Sequence, residues 1–332
     1  MIARELGVVE PALRPDRWRH ALILVVTRRC NLRCAYCPTL KDGLPDLSPD
    51  DARRAIDRFV ELFGGGECKL FGGEPLLVPD VVEAVLAYAP PSVRVSLSTN
   101  ALPLDAAWLR RLQERPDVSL TVSLDGDAAT HDGLRRGTPS YQKVLELLPE
   151  LLKLPRFVVT QTIAPAMAIR AAANFKHLLG LGIRRFNLLP GYYLPWTPDQ
   201  LSALNLAMHD IANEFEQAWS RGQYLYLRNL FVRAPTPFFN TGFVVDVDRR
   251  IHPSNLILAG RYDDLRDLTA LGDLDDPPDR AALDQGASRA AALLFERLPP
   301  EVRQGTEAAD RALTGLCDRL YPAYFRWREA RR

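Results

Sequence analysis

The sequence predicts an α/β fold built on one mostly parallel sheet covered by helices. Three observations carry this reading. Strand-like and helix-like runs alternate up to about residue 221, as in strand–helix–strand units with right-handed crossovers. The polar, glycine-bearing stretches fall just after the strand-like runs, at the carboxyl ends where such folds gather reactive groups. Beyond about residue 222 the alternation gives way to short strand-like runs and two Ala/Leu/Arg-rich helical stretches. Periodicity leaves open whether the sheet is doubly wound or curls into a partial barrel.

Taken in order, Ala21–Thr27 is an apolar, β-branched run and reads as the first strand. Ser48 is an N-cap for a helix carrying Ala52, Ile56, Phe59, Val60 and Phe63 at helical spacing, stopped by Gly64-Gly65-Gly66. Cys68–Phe71, Val93–Ser98 and Ser119–Leu124 read as strands two to four, with helices over Val78–Ala89 and Asp105–Arg115 between them. Tyr141–Leu154 reads as the fourth helix. Phe157–Ile163 and Arg185–Leu189 are strands five and six, with a helix over Ile169–Leu181 between them and a long amphipathic one over Pro198–Arg221 after. Tyr224–Val232 looks like a strand. Gly242–Val247 and Ile251-His252 flank a turn at Asp248-Arg249-Arg250, and two helices over about 279–297 and 301–328 close the chain.

The 332 residues include 42 Lys and Arg against 41 Asp and Glu, a net charge of +1. Such balance creates no field for nucleic acid or an anionic membrane. No apolar run is long enough to span a bilayer, and the first residues lack a signal-peptide pattern, so the expected location is cytoplasmic.

Three of the five cysteines, Cys30, Cys34 and Cys37, fall within the run Cys30-Asn31-Leu32-Arg33-Cys34-Ala35-Tyr36-Cys37. Clustered cysteines in a reducing compartment point to metal or redox work rather than disulfides. Structural zinc needs about four ligands; the fourth would have to be Cys68 or a histidine, and no histidine is close in sequence. A four-iron cluster normally takes one thiolate per iron, so three leave one iron open to a small molecule. Cys68, among strand-like apolar residues, and Cys317, in a late helix, read as core residues.

Cys-x3-Cys-x2-Cys with an aromatic before the last cysteine resembles the radical S-adenosylmethionine (SAM) enzymes. Further motifs fall in the order of that family: Gly72-Gly73-Glu74-Pro75, Ser98-Thr99-Asn100, then Ser123-Leu124-Asp125-Gly126 followed by His131-Asp132 and Arg135. The resemblance covers roughly residues 20–190. It implies a partial (β/α)6 TIM-like barrel, one [4Fe-4S] cluster on Cys30, Cys34 and Cys37, and bound SAM. Glu74, with Gly72 and Gly73, would meet the methionine amino group. Tyr36 would cover the adenine, Ser123 would reach the ribose and Arg135 the SAM carboxylate. Ser98, Asn100 and Asp125 belong to the binding signatures, and Gln161, Thr162 and Leu189 would line the adenine pocket. The chemistry implied is cleavage of SAM to a 5′-deoxyadenosyl radical that takes hydrogen from a substrate, with an electron donor such as flavodoxin or ferredoxin.

The Ser-Leu-Asp-Gly form is most similar to the SPASM/twitch branch, which holds peptide maturases and anaerobic sulfatase-maturing enzymes. Residues 1–222 would form the barrel, and 223–332 a smaller α+β region resembling a degenerate SPASM/twitch extension. Phe239–Asp248 resembles its hairpin, Ile251-His252-Pro253-Ser254-Asn255 stands where a cysteine is expected, and Leu271-Gly272-Asp273-Leu274 resembles its later signature. With Cys317 alone in this region, a single cluster is expected. The first cysteine comes at residue 30, which leaves no room ahead of it for a leader-binding domain. The implied substrate is a peptide or protein side chain, with a small metabolite as the alternative and a separate leader-binding protein left open. The aromatic and polar set Tyr192, Tyr193, Trp196, Tyr224, Tyr226, Arg228, Asn229, Phe238, Phe239 and Asn240 would either line a substrate pocket or pack the barrel onto the C-terminal region. Asp246, Asp248 and His252 are candidate proton acceptors or substrate contacts.

Overall fold

The computed structural model describes residues 20–37, 39, 41, 43–231, 242–253 and 263–331. Among the described residues ten strands form one open sheet in the order β10-β9-β8-β1-β2-β3-β4-β5-β6-β7. The first six are β1 (Ala21–Thr27), β2 (Gly66–Gly72), β3 (Val93–Thr99), β4 (Ser119–Ser123), β5 (Phe157–Ile163) and β6 (Arg185–Pro190), each parallel to the next. Helices α1 (Pro49–Phe63), α2 (Pro79–Tyr88), α3 (Ala106–Gln113), α5 (Tyr141–Leu151), α6 (Ala171–Gly180) and α7 (Pro198–Ser220) follow these strands, giving the partial (β/α)6 TIM-like barrel.

The local signals act as the residues require. Ser48 accepts from the Asp51 amide at the start of α1, and Gly64 ends that helix in the left-handed region at φ 73°. Thr197 and Gln200 close a capping box at the start of α7. A short helix between β4 and α5, α4 (Ala128–Leu134), has no counterpart among the sequence expectations; its cap is Asp127, which accepts from the Thr130 amide.

Side-chain alternation divides the sheet into two faces. Leu22, Leu24, Cys68, Leu70, Val95, Leu97, Leu120, Val122, Val159 and Phe186 are buried in the main core beneath the helices. Their neighbours of opposite parity, among them Glu67, Lys69, Ser96, Ser98, Thr121, Ser123, Thr160 and Asn187, line the concave side.

One expected strand is shorter than its apolar pattern implied. Of Tyr224–Val232 only β7 (Tyr226–Leu227) pairs with β6, and Arg228–Leu230 turns into a 3-10 helix. The physical reason is Asn229, whose side chain accepts from the Leu188 amide at 2.8 Å and donates to the Leu188 carbonyl at 2.9 Å. A side-chain amide thus takes the place of the next strand's backbone.

The C-terminal hairpin, β8 (Phe243–Val245) and β9 (Arg250–His252), is antiparallel, and β10 (Gly272–Asp273) pairs with β9. β8 runs parallel to β1 on the side away from β2, so the sheet continues into this region. Helices α8 (Asp263–Thr269), α9 (Arg280–Arg297) and α10 (Pro300–Glu329) complete it. Tyr193 and Trp196 are buried, and Trp219, Tyr224, Tyr324 and Trp327 form one aromatic cluster joining α7, the segment before β7 and α10. The described part of the aromatic set therefore packs largely as core; Phe238, Phe239 and Asn240 lie outside the described residues, as do Ser254 and Asn255. Among the described residues no helix is long and apolar enough to cross a membrane.

Candidate functional site

The cysteine loop leaves the carboxyl end of β1 and is held by its neighbours. Gly73 and Glu74 donate backbone hydrogen bonds to the carbonyls of Thr27 (2.8 Å) and Arg29 (2.9 Å). The chains approach so closely that a Cβ on Gly72 would stand 2.1 Å from the Thr27 oxygen, and one on Gly73 2.0 Å from that of Arg29. These glycines are therefore demanded by the strand that launches the cysteine loop. Across the loop, Arg33 and Ala35 donate to the Arg136 and Leu134 carbonyls at the end of α4.

Cys30 and Cys34 are half-buried and Cys37 is exposed. The Leu32 amide points at Cys30 Sγ from 3.4 Å, and Asn100 Nδ2 stands 4.0 Å from the same sulfur. Burial, partly offset by Arg135, pushes the Cys34 thiol up to about 11, so metal binding there would release a proton. Among the described residues no group of three or more His, Cys, Asp or Glu converges on one ion. Three thiols on one loop with an N–H aimed at a sulfur suit a cluster that takes one thiolate per iron. Cys68 and Cys317 are buried in the core.

Glu74, 1 % exposed, lies beside this loop. Its Oε1 accepts from the Leu76 amide (3.1 Å) and the Thr99 hydroxyl (2.8 Å), and Oε2 from the Asn100 amide (2.7 Å). Burial raises its pKa, and these three bonds oppose the rise. A carboxylate offers about four acceptor positions, so one remains for a further donor such as an ammonium group. Thr99 escaped the sequence reading as a partner of Glu74, although it lies inside the Ser98-Thr99-Asn100 motif.

Asp125, at the end of β4, is the hub of the site. Its carboxylate accepts from Arg135 Nε (2.8 Å) and Nη2 (3.0 Å), from the Tyr36 hydroxyl (2.7 Å) and from the Thr162 amide (3.0 Å). The Arg135 guanidinium also stands over the Tyr36 ring, 5.5 Å from its centroid. Arg135 thus spends two nitrogens on Asp125 and leaves Nη1 outside that pair. The Asp125 amide donates to His131 Nδ1 at 3.2 Å, which leaves the proton of a neutral ring on Nε2, 2.9 Å from the Ser140 hydroxyl. Asp132 accepts from the Ser140 and Tyr141 amides.

Ser98 and Ser123 are half-buried on the concave face, and Leu189 is exposed at the end of β6. Gln161 lies elsewhere: it shares the parity of Val159 and Ile163, and its amide donates to the carbonyls of Ala171 (3.1 Å) and Asp125 (3.3 Å). The structure thus makes it a tie between strand and helix layer instead of a pocket wall. Asp246 pairs with two arginines, Arg28 just before the cysteine loop and Arg266 at 3.0 Å, and Asp248 pairs with Arg250 and Arg266. Both carboxylates are thus engaged in joining the hairpin to β1 and α8.

Burial lowers the pKa of His131 and of His252 to about 4. An unfolded chain then takes up these protons first, near pH 6.5. The stability the two rings contribute is full above about pH 6.5 and is lost as pH falls toward 4. By pH 4.5 the loss should reach about 2–3 kcal/mol per ring. Urea midpoints followed from pH 7 to 4.5 should fall steadily; a flat profile would contradict the neutral assignment.

A partial barrel carries a three-cysteine loop at its carboxyl rim, and residues 24–165 match the Radical SAM superfamily. Among curated proteins it is 31 % identical over 191 residues to a serine-type anaerobic sulfatase-maturating enzyme of Klebsiella aerogenes, a match covering 52 % of this chain and 46 % of that protein. It is 40 % identical over 118 residues to GTP 3′,8-cyclase of Lactiplantibacillus plantarum, covering 33 % of this chain and 35 % of that one. The matches span between about a third and a half of these relatives' length. Among solved structures, native anSMEcpe with bound AdoMet and Kp18Cys peptide aligns with a TM-score of 0.70 over 93 % of this chain and 99 % of that one, at 14 % identity. Streptococcus suis SuiB bound to precursor peptide SuiA aligns with a TM-score of 0.58 over 82 % of this chain and 65 % of that one, at 13 % identity. These likenesses establish the fold.

Proposed function

We propose that the protein is a radical SAM enzyme that abstracts hydrogen from a substrate carbon, on a peptide or protein side chain. The observation that carries the reading is the convergence of Cys30, Cys34 and Cys37 with Glu74 and with the Asp125–Arg135–Tyr36 group at the carboxyl ends of β1, β2 and β4. In this reading the three cysteines hold one [4Fe-4S] cluster. When bound and reduced, it supplies an electron to the sulfonium of SAM, releasing methionine and the 5′-deoxyadenosyl radical.

The chain's own residues position and shield. Glu74, prealigned by three donors, presents its remaining acceptor position to the SAM ammonium. Asn100 fixes Glu74 through its amide and reaches toward Cys30 through its side chain. Tyr36 is locked to Asp125, which holds the cysteine loop against β4. Arg135, stacked on Tyr36, keeps Nη1 for a carboxylate. Ser98, Ser123 and Leu189 border the adenosine side. In this reading the chain divides at about residue 222 into the radical SAM partial barrel and a SPASM/twitch-like C-terminal region.

Support for a peptide substrate is the fold likeness to anSMEcpe and SuiB, solved with peptides bound, which extends beyond the radical SAM domain. The alternative, a small metabolite, draws on the match to GTP 3′,8-cyclase. Flavodoxin or ferredoxin would supply the electron, and a separate leader-binding protein would serve a peptide substrate. Anaerobically reconstituted protein reduced with dithionite should form 5′-deoxyadenosine from SAM. Absence of that product at about four irons per chain would end this reading for both substrate classes.

A further inference from the structure

The concave face of the sheet mixes polar and charged side chains with apolar ones, Ile23 beside Lys69 and Val158 beside Thr121, where a closed barrel is filled with Val, Ile and Leu. On β2, Cys68 and Leu70 point into the core, so Glu67 and Lys69 point the other way. Arg228, just beyond β7, reaches across the opening to Glu67 at 2.6 Å. β7 and β2 are not neighbours in the sheet, so this ion pair spans the lumen and floors it. Lys69 stands one lumen-facing position above. Its ammonium lies 3.7 Å from a Glu67 oxygen, and its side chain keeps 28 % exposure. Burial lowers its pKa most; the Glu67 charge opposes this and Arg228 adds to it.

Two further donors lie on the same face of the sheet, their polar atoms enclosed. Thr121, 6 % exposed, shares the parity of Ser119 and Ser123, and its hydroxyl has no hydrogen-bond partner among the described residues. Arg185, lumen-facing on β6, gives Nη1 to the Tyr224 hydroxyl and stacks on Tyr226, while its Nε is buried without a partner. A buried donor without an acceptor costs about 1–3 kcal/mol. An ammonium, a hydroxyl and a guanidinium N–H thus face the lumen, while Glu67 is shared between Lys69 and Arg228.

We propose that this lumen binds an anionic group of the substrate, a carboxylate or a phosphate, through Lys69 and Thr121, with Arg185 adding positive charge. The proposal rests on the reading of the chain as a radical SAM enzyme whose substrate enters this lumen. Lys69 precedes Gly72 by three residues, about 10 Å along an extended strand.

Titration calorimetry of the anaerobically reconstituted, SAM-loaded protein with pyrophosphate and, separately, with succinate tests this. At least one dianion should bind saturably, one per chain. Lys69→Met should weaken that binding by about tenfold or more, and Thr121→Val by about threefold or more, whereas Lys176→Met on the surface should leave it unchanged. Binding of pyrophosphate alone identifies a phosphate, and of succinate alone a carboxylate. Thr121→Val should fold at least as stably as the parent, because the hydroxyl it removes is unpartnered; a large loss of stability would mark that hydroxyl as structural and overturn its role. If neither dianion binds, or both variants bind like the parent, the proposal falls. Formation of 5′-deoxyadenosine by the unsubstituted protein is scored separately: its failure ends the radical reading while dianion binding still stands.

Discussion

An Asp125→Ala variant is expected to lose about 3–5 kcal/mol of folding free energy, the usual cost of removing one partner from a buried ion pair. Asp125 is 1 % and Arg135 6 % exposed, and the carboxylate also receives Tyr36 and the Thr162 amide. Without it, a guanidinium, a phenol and an amide lose their acceptor together, and the cysteine loop loses its tie to β4 and β5. Burial lowers the pKa of the Arg135 guanidinium, but Asp125 and Tyr36 outweigh this and hold it above its ordinary value, so it stays charged. Adding Arg135→Met to Asp125→Ala should restore part of the loss, because the stranded charge is gone. Urea unfolding of the single and double variants decides the matter. A single-variant loss under about 1 kcal/mol, or no recovery in the double variant, would contradict a coupled buried pair.

Cys34→Ala should carry the largest functional effect, reducing iron from about four per chain to near none and abolishing 5′-deoxyadenosine. Cys34 is half-buried beside Arg135, on the loop pinned at one end by Gly73 and Glu74 and across by Leu134 and Arg136. The loop should keep its fold, so the loss is one of ligand chemistry. Cys317→Ala, in the buried face of α10, should leave iron unchanged. Iron analysis of the two proteins side by side is the measurement: iron retained without Cys34, or lost without Cys317, would refute the single-cluster reading.

Much of the barrel was legible in the residues. β1, β5 and β6 follow from β-branched or apolar runs, and α1 and α7 from a capping residue followed by apolar positions at helical spacing. These signals are local, since a cap or a period needs only neighbouring residues. Tyr224–Val232 misled because an apolar run does not reveal that an asparagine side chain will finish the ladder. α4 was hidden by its shortness and by Gly133, although Asp127 three residues before Thr130 was a usable cap signal. Gln161 was misplaced by its position at a strand end; counting parity from Val159 would have turned it toward the helices.

The sequence by itself determined the chemistry on offer: three thiols on one loop, a glycine pair before a carboxylate, and an aspartate and arginine ten residues apart. Thiol spacing and helix capping are properties of short stretches of chain. Which groups are spent on one another was decided only by the tertiary structure. Arg135 with Asp125, Tyr36 with Asp125, Arg28 with Asp246 and Arg228 with Glu67 are pairs whose members come from different elements. Burial makes each pairing obligatory, because a charge removed from water must find its opposite, and sheet order determines which opposite is within reach. The same packing that satisfies these pairs leaves the Thr121 hydroxyl without a partner and the Lys69 ammonium at a carboxylate already claimed by Arg228. Those groups, absent from every motif, are the ones proposed to meet a ligand.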